Sequence, residues 1–179
     1  DLILIERFRA GDLGGFEMLV KKYQGKAVNI AYRLNPNVTN AQDIAQEAFI
    51  KVYEGLQYFR AESKFSSWFY RIVINCAYDF IRKNKRKLVQ LEDCPSSELL
   101  YNQESGDCLA KELISWAIQK VPFKYRAALV LRELELLSYE DISVSLGISR
   151  GTVESRIFRG RQILKDILER KGVFKDELR

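Results

Sequence analysis

A two-helix pattern near the end of the chain constrains the fold more than any other feature. Ser138 and Ser149 each precede a stretch of apolar residues at helical spacing, and Gly147 lies between the two stretches. Serine caps the free amide groups of a first helical turn, and glycine adopts the left-handed conformation that a short turn needs. Asp141 stands where a capping box usually carries Glu or Gln. Residues 138–161 therefore predict a helix-turn-helix.

The second helix of this pattern has one apolar and one polar face. The predicted buried stripe consists of Val153, Ile157, Gly160 and Leu164. The outward groups are Thr152, Ser155, Phe158, Arg159 and Gln162. Arg pairs with guanine, Gln with adenine, and an aromatic edge contacts the thymine methyl group, so this face predicts binding in a major groove. Arg156 and Arg161 on its flanks are predicted phosphate contacts, and Arg150 at its start is a further candidate DNA contact. The alternative is an ordinary solvated, arginine-rich face.

Helical periodicity extends through most of the chain, and strand signals are nearly absent. In the first half, apolar stripes run from Phe16 to Leu34, from Ile44 to Leu56 and from Phe69 to Phe80. The predicted N-caps of the last two helices are Thr39 or Asn40 and Ser66 or Ser67. In the second half, stripes run from Leu109 to Val121 and from Tyr125 to Leu131. The sequence predicts an all-α protein.

An acidic stretch divides the chain in two. Between Leu88 and Cys108 there is no Lys or Arg, whereas Asp, Glu, Ser, Pro and Gly are frequent. This composition favours a flexible tether over a packed element. We therefore expect two small helical domains, 1–88 and 109–179, joined by an acidic linker at 89–108. The second domain contains the helix-turn-helix and a short C-terminal tail.

The helix after Ser66 carries a second basic face of different chemistry. One stripe of this helix consists of Arg71, Asn75, Tyr78, Arg82 and Arg86. Basic, amide and aromatic groups together suit single-stranded nucleic acid, because the charges hold the backbone and the rings stack on unpaired bases. Four nearby aromatic residues are either further stacking platforms or core: Phe59, Phe65, Trp68 and Tyr70. The sequence leaves both interpretations open for them.

Composition argues against an enzyme. The chain has no His, and its three Cys residues lack close metal-ligand spacing, so we expect no catalytic residue, metal or cofactor. The net charge of +5 suits a polyanionic partner. No apolar run approaches the roughly 20 residues of a membrane span. The odd number of cysteines fits a reducing compartment. These features predict a soluble cytoplasmic protein without membrane insertion.

Three segments resemble a known family. Residues 43–49, DIAQEAF, and 65–75, FSSWFYRIVIN, resemble the second conserved region of bacterial sigma factors, and residues 138–161 resemble the fourth region. Their order and separation are similar to those of the extracytoplasmic-function (ECF) group, of the sigma-E type, which lacks the large middle domain. The resemblance implies an RNA polymerase sigma factor that directs promoter recognition, local DNA melting and transcription initiation in a stress response.

The resemblance also implies partners. The helix from Asn40 has an acidic outer face with one exposed isoleucine, which by itself is either an interface or a solvated surface. The resemblance implies that Asp43, Gln46, Glu47 and Ile50 on this face bind the β′ coiled coil of core RNA polymerase. The second domain would contact the β flap. An anti-sigma factor would cover the same surfaces, and the acidic linker would lie toward the RNA exit path.

On promoter DNA, the resemblance implies two contacts. Phe59, Tyr70 and Asn75 would form a pocket for a flipped minus-ten base, and Arg82, Lys83, Lys85 and Arg86 would hold phosphates. The recognition helix would read the minus-thirty-five element. Glu154 departs from the family pattern, which usually has a basic residue there. A carboxylate accepts a hydrogen bond from cytosine, so we expect a different minus-thirty-five preference.

Two other classes of protein fit parts of the sequence. A stand-alone transcriptional regulator would use the helix-turn-helix as its output, but it would not need the basic, aromatic helix at 66–87. A recombinase or nuclease would need a nucleophile or a cluster of metal-binding carboxylates, and neither is evident.

Overall fold

A computed structural model describes residues 1–89 and 106–171, with side chains for all of these except 85–89 and 106–112. The described residues form eight helices and no strand, which confirms the all-α prediction. The helices are α1 (Leu2–Arg9), α2 (Leu13–Leu34), α3 (Val38–Leu56), α4 (Phe65–Val89), α5 (Gly106–Lys120), α6 (Phe123–Glu133), α7 (Tyr139–Leu146) and α8 (Arg150–Arg170). Helices α1–α4 are called the first domain below and α5–α8 the second. Most of the predicted linker, 90–105, lies outside the described residues.

The core of the first domain lies between α2, α3 and α4. Phe69 is fully buried, and its ring centroid lies 4.9 Å from that of Tyr23 and 5.4 Å from that of Phe49. Val73 and Cys76 are buried on the same stripe, as the periodicity predicts, whereas Phe80 is half-buried. Each large apolar side chain that is removed from water contributes about 1.5–3 kcal/mol to folding, so this stripe fixes the orientation of α4.

Helix α1 and the start of α2 were not predicted from the sequence. The α1 helix has one buried residue, Ile5, and packs closely on α2 at Gly15. A Cβ atom at Gly15 would collide with the carbonyl oxygen of Leu4. Asp12 caps α2 by accepting a hydrogen bond of 2.9 Å from the amide of Gly14. An eight-residue helix is marginal in water, so α1 depends on this tertiary contact and has a weak sequence signal.

Two predicted helix caps are wrong. The N-cap of α3 is Asn37, whose side chain accepts from the amide of Asn40 at 2.9 Å; the predicted caps lie inside the first turn. Asn37 has an extended backbone, which places its side chain over that turn. Helix α4 begins at Phe65, so Ser66 and Ser67 also lie within its first turn. There the amide of Ser67 donates to the carbonyl of Lys64 at 3.1 Å.

The helix-turn-helix has the predicted local geometry. Ser138 accepts from the amide of Asp141 at 3.1 Å, and Ser149 accepts from the amide of Thr152 at 3.3 Å. Gly147 ends α7 with a φ of +63°, the left-handed conformation that glycine adopts without strain. The Ser138 hydroxyl also donates to Oδ2 of Asp141 at 2.8 Å. Asp141, whose side chain is shorter than that of the usual Glu or Gln, therefore bonds the side chain of the cap residue. Caps and turn together fix the angle between α7 and α8.

The two domains pack directly against each other. Helix α4 contacts α7, and α2 contacts both α5 and α6. This packing places α4 directly against α7, the first helix of the helix-turn-helix. Over residues 1–89 and 106–171, no helix combines the length and the apolar run that a bilayer crossing requires.

Candidate nucleic-acid and protein interfaces

The outward face of α8 is available to a ligand. Phe158 is 65% exposed, and Ser155, Arg159 and Gln162 are exposed beside it, whereas Thr152 is half-buried. On the inner side Val153, Ile157 and Gly160 are buried and Leu164 is half-buried. The predicted division of α8 into two faces is therefore confirmed for every named residue except Thr152 and Leu164, which lie at the boundary between the faces. Its outer face presents hydroxyl, aromatic, guanidinium and amide groups, which together can read base edges.

The flanking arginines of α8 differ in their surroundings. Arg150 pairs with Glu154 on the next turn, at 3.1 Å between Nε and Oε1. Arg161 reaches back to α6, where its Nη2 lies 2.6 Å from Oε1 of Glu133. Arg156 lines a small cavity between the domains. Arg161 and Arg156 thus have protein partners or neighbours that the sequence pattern did not predict.

Helix α6 adds a basic edge beside the recognition helix. Lys124 and Arg159 both lie near the hydroxyl group of Tyr125, and hydrogen bonding to Arg159 and then to Lys124 lowers the pKa of Tyr125. The ammonium group of Lys124 also lies 4.8 Å from the centroid of the Tyr125 ring. Positive charge on α6 is thereby adjacent to the predicted base reader, and the sequence analysis did not identify it.

The basic, aromatic stripe of α4 occupies one side of that helix, as its spacing predicts. Of the predicted stripe, Arg71, Asn75, Tyr78 and Arg82 are exposed, and Lys83 beside Arg82 is exposed as well. The guanidinium carbon of Arg82 lies 5.9 Å from the centroid of the Tyr78 ring, a cation–π contact. The side chains of Lys85 and Arg86 lie outside the described residues.

The aromatic residues around the start of α4 are mostly core. Phe59, Phe65 and Tyr70 are buried, and Trp68 is half-buried. The ring centroid of Phe59 lies 5.2 Å from that of Trp68 and 5.9 Å from that of Phe65. A ring enclosed by other rings has no free face for a base. The burial of Phe59, Phe65 and Tyr70 favours the core interpretation of the two that the sequence left open, and it does not support the flipped-base pocket that the resemblance implies for Phe59 and Tyr70.

The loop between α3 and α4 presents residues that the sequence analysis missed. Tyr58 is 74% exposed, and Arg60 and Lys64 are exposed in the same loop. Phe59 follows Leu56 by three residues and so continues the apolar stripe of α3 into the core, which leaves the neighbouring Tyr58 ring outside. From that spacing the exposure of Tyr58 could have been predicted. An exposed ring with cations in the same loop suits an unpaired base.

The outer face of α3 is acidic with an exposed apolar residue, as predicted. Asp43, Gln46, Glu47 and Ile50 are all exposed, and Ile50 is 54% exposed. Tyr53 continues this face, where its ring lies 5.1 Å from that of Phe16 on α2. An apolar patch with acidic neighbours is typical of a protein-binding surface.

A second apolar surface lies on the second domain. A cleft of about 480 Å³ opens between α5, α6 and α8. Its apolar lining comprises Ile114, Ile118, Leu129, Val130, Leu134 and Leu164, and its charged rim comprises Arg33, Glu133 and Arg161. The Arg161–Glu133 ion pair thus borders this cleft.

The part of the chain that the structure describes has no cluster of metal-binding side chains. No three Cys, Asp or Glu residues come close enough there to hold a metal ion. Burial raises the pKa of the Cys76 thiol, which keeps it protonated and weakly nucleophilic.

Comparison with known families matches both domains. Residues 19–87 match the model of sigma-70 region 2, and residues 111–164 match that of sigma-70 region 4. The chain is 40% identical to the RNA polymerase sigma-H factor of Pseudomonas aeruginosa, over 94% of each chain. It is 35% identical to the ECF RNA polymerase sigma-E factor of Escherichia coli, over 92% of each.

The chain belongs to the ECF sigma factors. It is therefore a transcription initiation factor that acts in promoter recognition. A stand-alone regulator or a recombinase does not account for matches to both sigma regions in one chain.

Two solved structures share the fold of this sigma factor. The structure of CnrH in complex with the cytosolic domain of CnrY aligns with a TM-score of 0.72 and 22% identity, over 93% of this chain and 96% of that one. Sigma factor RpoE of Bartonella quintana, solved with the anti-sigma factor NepR, aligns with a TM-score of 0.68 and 22% identity, over 86% and 96% of the two chains. At these identities the likeness establishes the fold.

Proposed function

We propose that this sigma factor binds core RNA polymerase through the outer face of α3 and reads a promoter with two separate helices. The observation that carries this proposal is the presence of two exposed basic faces of different chemistry, on α4 and α8, in a chain that matches both sigma regions. A duplex element and a melted element need different contacts, because base edges are read in a groove whereas unpaired bases are stacked.

The minus-ten contact is assigned to the stripe of α4 and the loop before it. Asn75 is exposed and offers an amide to a base edge, and Tyr58 offers an exposed ring. Arg82 and Lys83, with Lys85 and Arg86 further along, would hold phosphates. Trp68 is half-buried beside Phe59 and serves mainly to support the loop.

The minus-thirty-five contact is assigned to α8. Phe158, Arg159 and Gln162 supply the base-reading groups, and Ser155 and Thr152 lie on the same face. Arg150 contacts phosphate from the first turn, and Glu154 both positions Arg150 and accepts a hydrogen bond from cytosine. Because Arg161 pairs with Glu133, its role is to hold α8 against α6.

The protein partners are assigned to the two apolar surfaces. The face around Ile50 would bind the β′ coiled coil, and the cleft between α5, α6 and α8 would receive the β flap. An anti-sigma factor would compete for these surfaces, since one structural relative, RpoE of Bartonella quintana, is solved with the anti-sigma factor NepR. The chain would act without catalysis of its own, in the cytoplasm where polymerase and promoter meet, in a stress response.

The experiment that tests the proposal is reconstitution with core RNA polymerase. Purified chain and core enzyme are incubated with a promoter library, and the start sites are mapped. Initiation at a shared two-part promoter that neither component supports alone is the expected result. If the chain neither associates with core enzyme nor changes its start sites, the proposed function is wrong.

A further inference from the structure

The last turn of α1 reaches the end of α3 through a single arginine. Arg9 donates a hydrogen bond to the carbonyl oxygen of Phe59, and the same Nη2 atom lies 3.5 Å from the carbonyl oxygen of Leu56. The final carbonyl groups of a helix lack partners within it and carry partial negative charge, so a guanidinium group is favourable there. Arg7, on the same helix, instead pairs with Asp12 at 2.7 Å. The two arginines of α1 therefore hold different parts of the chain.

Arg9 helps to fix the loop between α3 and α4, which presents Tyr58. The amide of Phe59 donates to the carbonyl oxygen of Leu56 at 3.3 Å, so the chain turns tightly out of α3. The ring of Phe59 is buried, with its centroid 5.2 Å from that of Trp68. Both the ring and the carbonyl group of Phe59 are thus held in place. They fix the backbone on which the exposed ring of Tyr58 stands.

The same loop contains a residue in an unfavourable backbone conformation. Ala61 has a φ of +56°, in the left-handed region that residues with a Cβ atom rarely adopt. Such a conformation persists only where the surrounding structure holds the chain. On the α4 side, the carbonyl oxygen of Lys64 accepts from the amide of Ser67 at 3.1 Å. On the α3 side, the bond from Arg9 to Phe59 supplies part of this hold.

We propose that Arg9 is a positioning residue for minus-ten recognition, which holds the α3–α4 loop so that Tyr58 meets an unpaired base. The inference rests on the proposed function, which assigns Tyr58 to the minus-ten element. Arg9 acts through the loop, because its Nη2 atom faces two backbone carbonyl groups. A loop that is ordered before the base arrives loses less conformational freedom on binding. Helix α1 thereby contributes to promoter opening without a DNA contact of its own.

The first measurement tests whether Arg9 holds the loop. Arg9→Met keeps an aliphatic stem and removes the donors, and Arg7→Met makes the same change at the neighbouring ion-paired arginine. Both are made in the full chain with Trp116→Phe, which leaves Trp68 as the only tryptophan. Acrylamide quenching of Trp68 fluorescence should increase for Arg9→Met, because Trp68 packs on Phe59. It should stay at the background value for Arg7→Met.

The second measurement tests whether the effect reaches nucleic acid through Tyr58. The affinity of the full chain for short single-stranded DNA of random sequence is titrated for Arg9→Met, Tyr58→Ala and the double variant. Tyr58→Ala should weaken binding by about tenfold, as for loss of one stacked base, and Arg9→Met by about fivefold. In the Tyr58→Ala chain, Arg9→Met should cause a further loss of less than about twofold, because the residue that it positions is gone.

A direct contact between Arg9 and a phosphate would instead give the same loss of affinity with and without Tyr58. That result overturns the inference, as does unchanged quenching for Arg9→Met. An equal rise in quenching for Arg7→Met also overturns it, because the cause would then be a general loosening of α1. Failure of the proposed function would appear differently, as unchanged affinity for Tyr58→Ala while the quenching response to Arg9→Met persists.

Discussion

Tyr70 on α4 and Glu135 after α6 are 65 positions apart in the sequence, and a hydrogen bond of 2.7 Å joins them. Burial, followed by the bond to Glu135, raises the pKa of the Tyr70 hydroxyl, so it remains a donor at every physiological pH. The bond links a helix of the first domain to the turn that leads into the helix-turn-helix. Any state that separates the domains must break it.

Ile50→Glu should weaken binding to core RNA polymerase. An exposed apolar side chain on an otherwise acidic face is the candidate anchor, and loss of such an anchor commonly costs about 2 kcal/mol of binding free energy. Fluorescence anisotropy with labelled core enzyme measures the change. Val38→Glu is the control, because Val38 is also exposed on α3 but lies at its opposite end. Equal affinities for wild type and Ile50→Glu would exclude this face as the docking surface.

Arg159→Ala and Asn75→Ala should affect different steps of initiation. Loss of Arg159 should weaken binding to the upstream duplex by about 1–3 kcal/mol, because it removes a guanidinium that we propose to read a base. Loss of Asn75 should reduce strand opening and leave closed-complex affinity unchanged. Band-shift titration and permanganate footprinting measure the two steps. Lys165→Ala, an exposed cation of α8 paired with Glu169, controls for charge. Identical profiles for Arg159→Ala and Asn75→Ala would contradict the division of roles.

Glu154→Arg should change which minus-thirty-five sequences are selected. The substitution replaces an acceptor with a donor and removes one of the two carboxylate partners of Arg150, the one that lies 3.1 Å away. We expect reduced use of cytosine-containing sites in a promoter library sequenced after transcription. Glu169→Arg makes the same change near the other end of α8 and should leave selection unaltered. An unchanged ranking of promoters for Glu154→Arg would reject this prediction.

Gly160→Ala should destabilise the second domain. The added Cβ atom would lie 2.9 Å from Cδ1 and 3.0 Å from Cγ of Leu129 on α6. Overpacking of this kind costs about 1–3 kcal/mol, more than the roughly 1 kcal/mol that alanine gains over glycine in a helix. Urea denaturation measures the free energy of unfolding. Gly151→Ala, where a Cβ atom meets nothing within 4 Å, should be neutral or stabilising. A stable Gly160→Ala would show that α6 and α8 can move apart.

Asp141 should make stability depend on pH in acid. Burial raises its pKa, but hydrogen bonds from Ser138 and Lys64 outweigh burial and hold the pKa below its ordinary value of 3.8. A lowered carboxylate pKa stabilises the fold above 3.8, and this contribution disappears as the pH falls through the folded-state value. Asp141→Asn should therefore cost about 1 kcal/mol at pH near 6 and progressively less below 3.8.

Urea unfolding of wild type and Asp141→Asn across this pH range measures the difference. Glu140→Gln, on the same helix but more exposed, should stay within about 0.5 kcal/mol of the wild type near pH 6. A difference between wild type and Asp141→Asn that grows in acid would contradict the sign of the effect.

The sequence predicted the helix-turn-helix almost completely. Ser138, Gly147 and Ser149 act on amide groups or dihedral angles within a few residues of themselves, so the pattern contains the whole cause. The two faces of α8 follow from its periodicity for the same reason. The same local periodicity also predicted the buried stripe of α4 that includes Phe69 and Val73.

The caps and aromatic positions were less predictable. Asn37 rather than Thr39 caps α3, because the choice between neighbouring cap residues depends on where the chain enters the helix. For Phe59 and Tyr70, the sequence left open whether each ring is core or contact. Their burial depends on which helices lie beside them, and no spacing within one helix contains that information.

By itself the sequence determined the type and position of most helices, the position of the turn and the identity of the outward side of α8. Only the tertiary structure decided that Lys64 meets Asp141, that Arg161 faces Glu133 and that α7 lies over Arg71. The physical reason is the range of the forces. Helices and caps form from groups a turn apart, whereas the pairing of charged and aromatic faces requires distant segments to pack together, and the whole chain decides which faces meet.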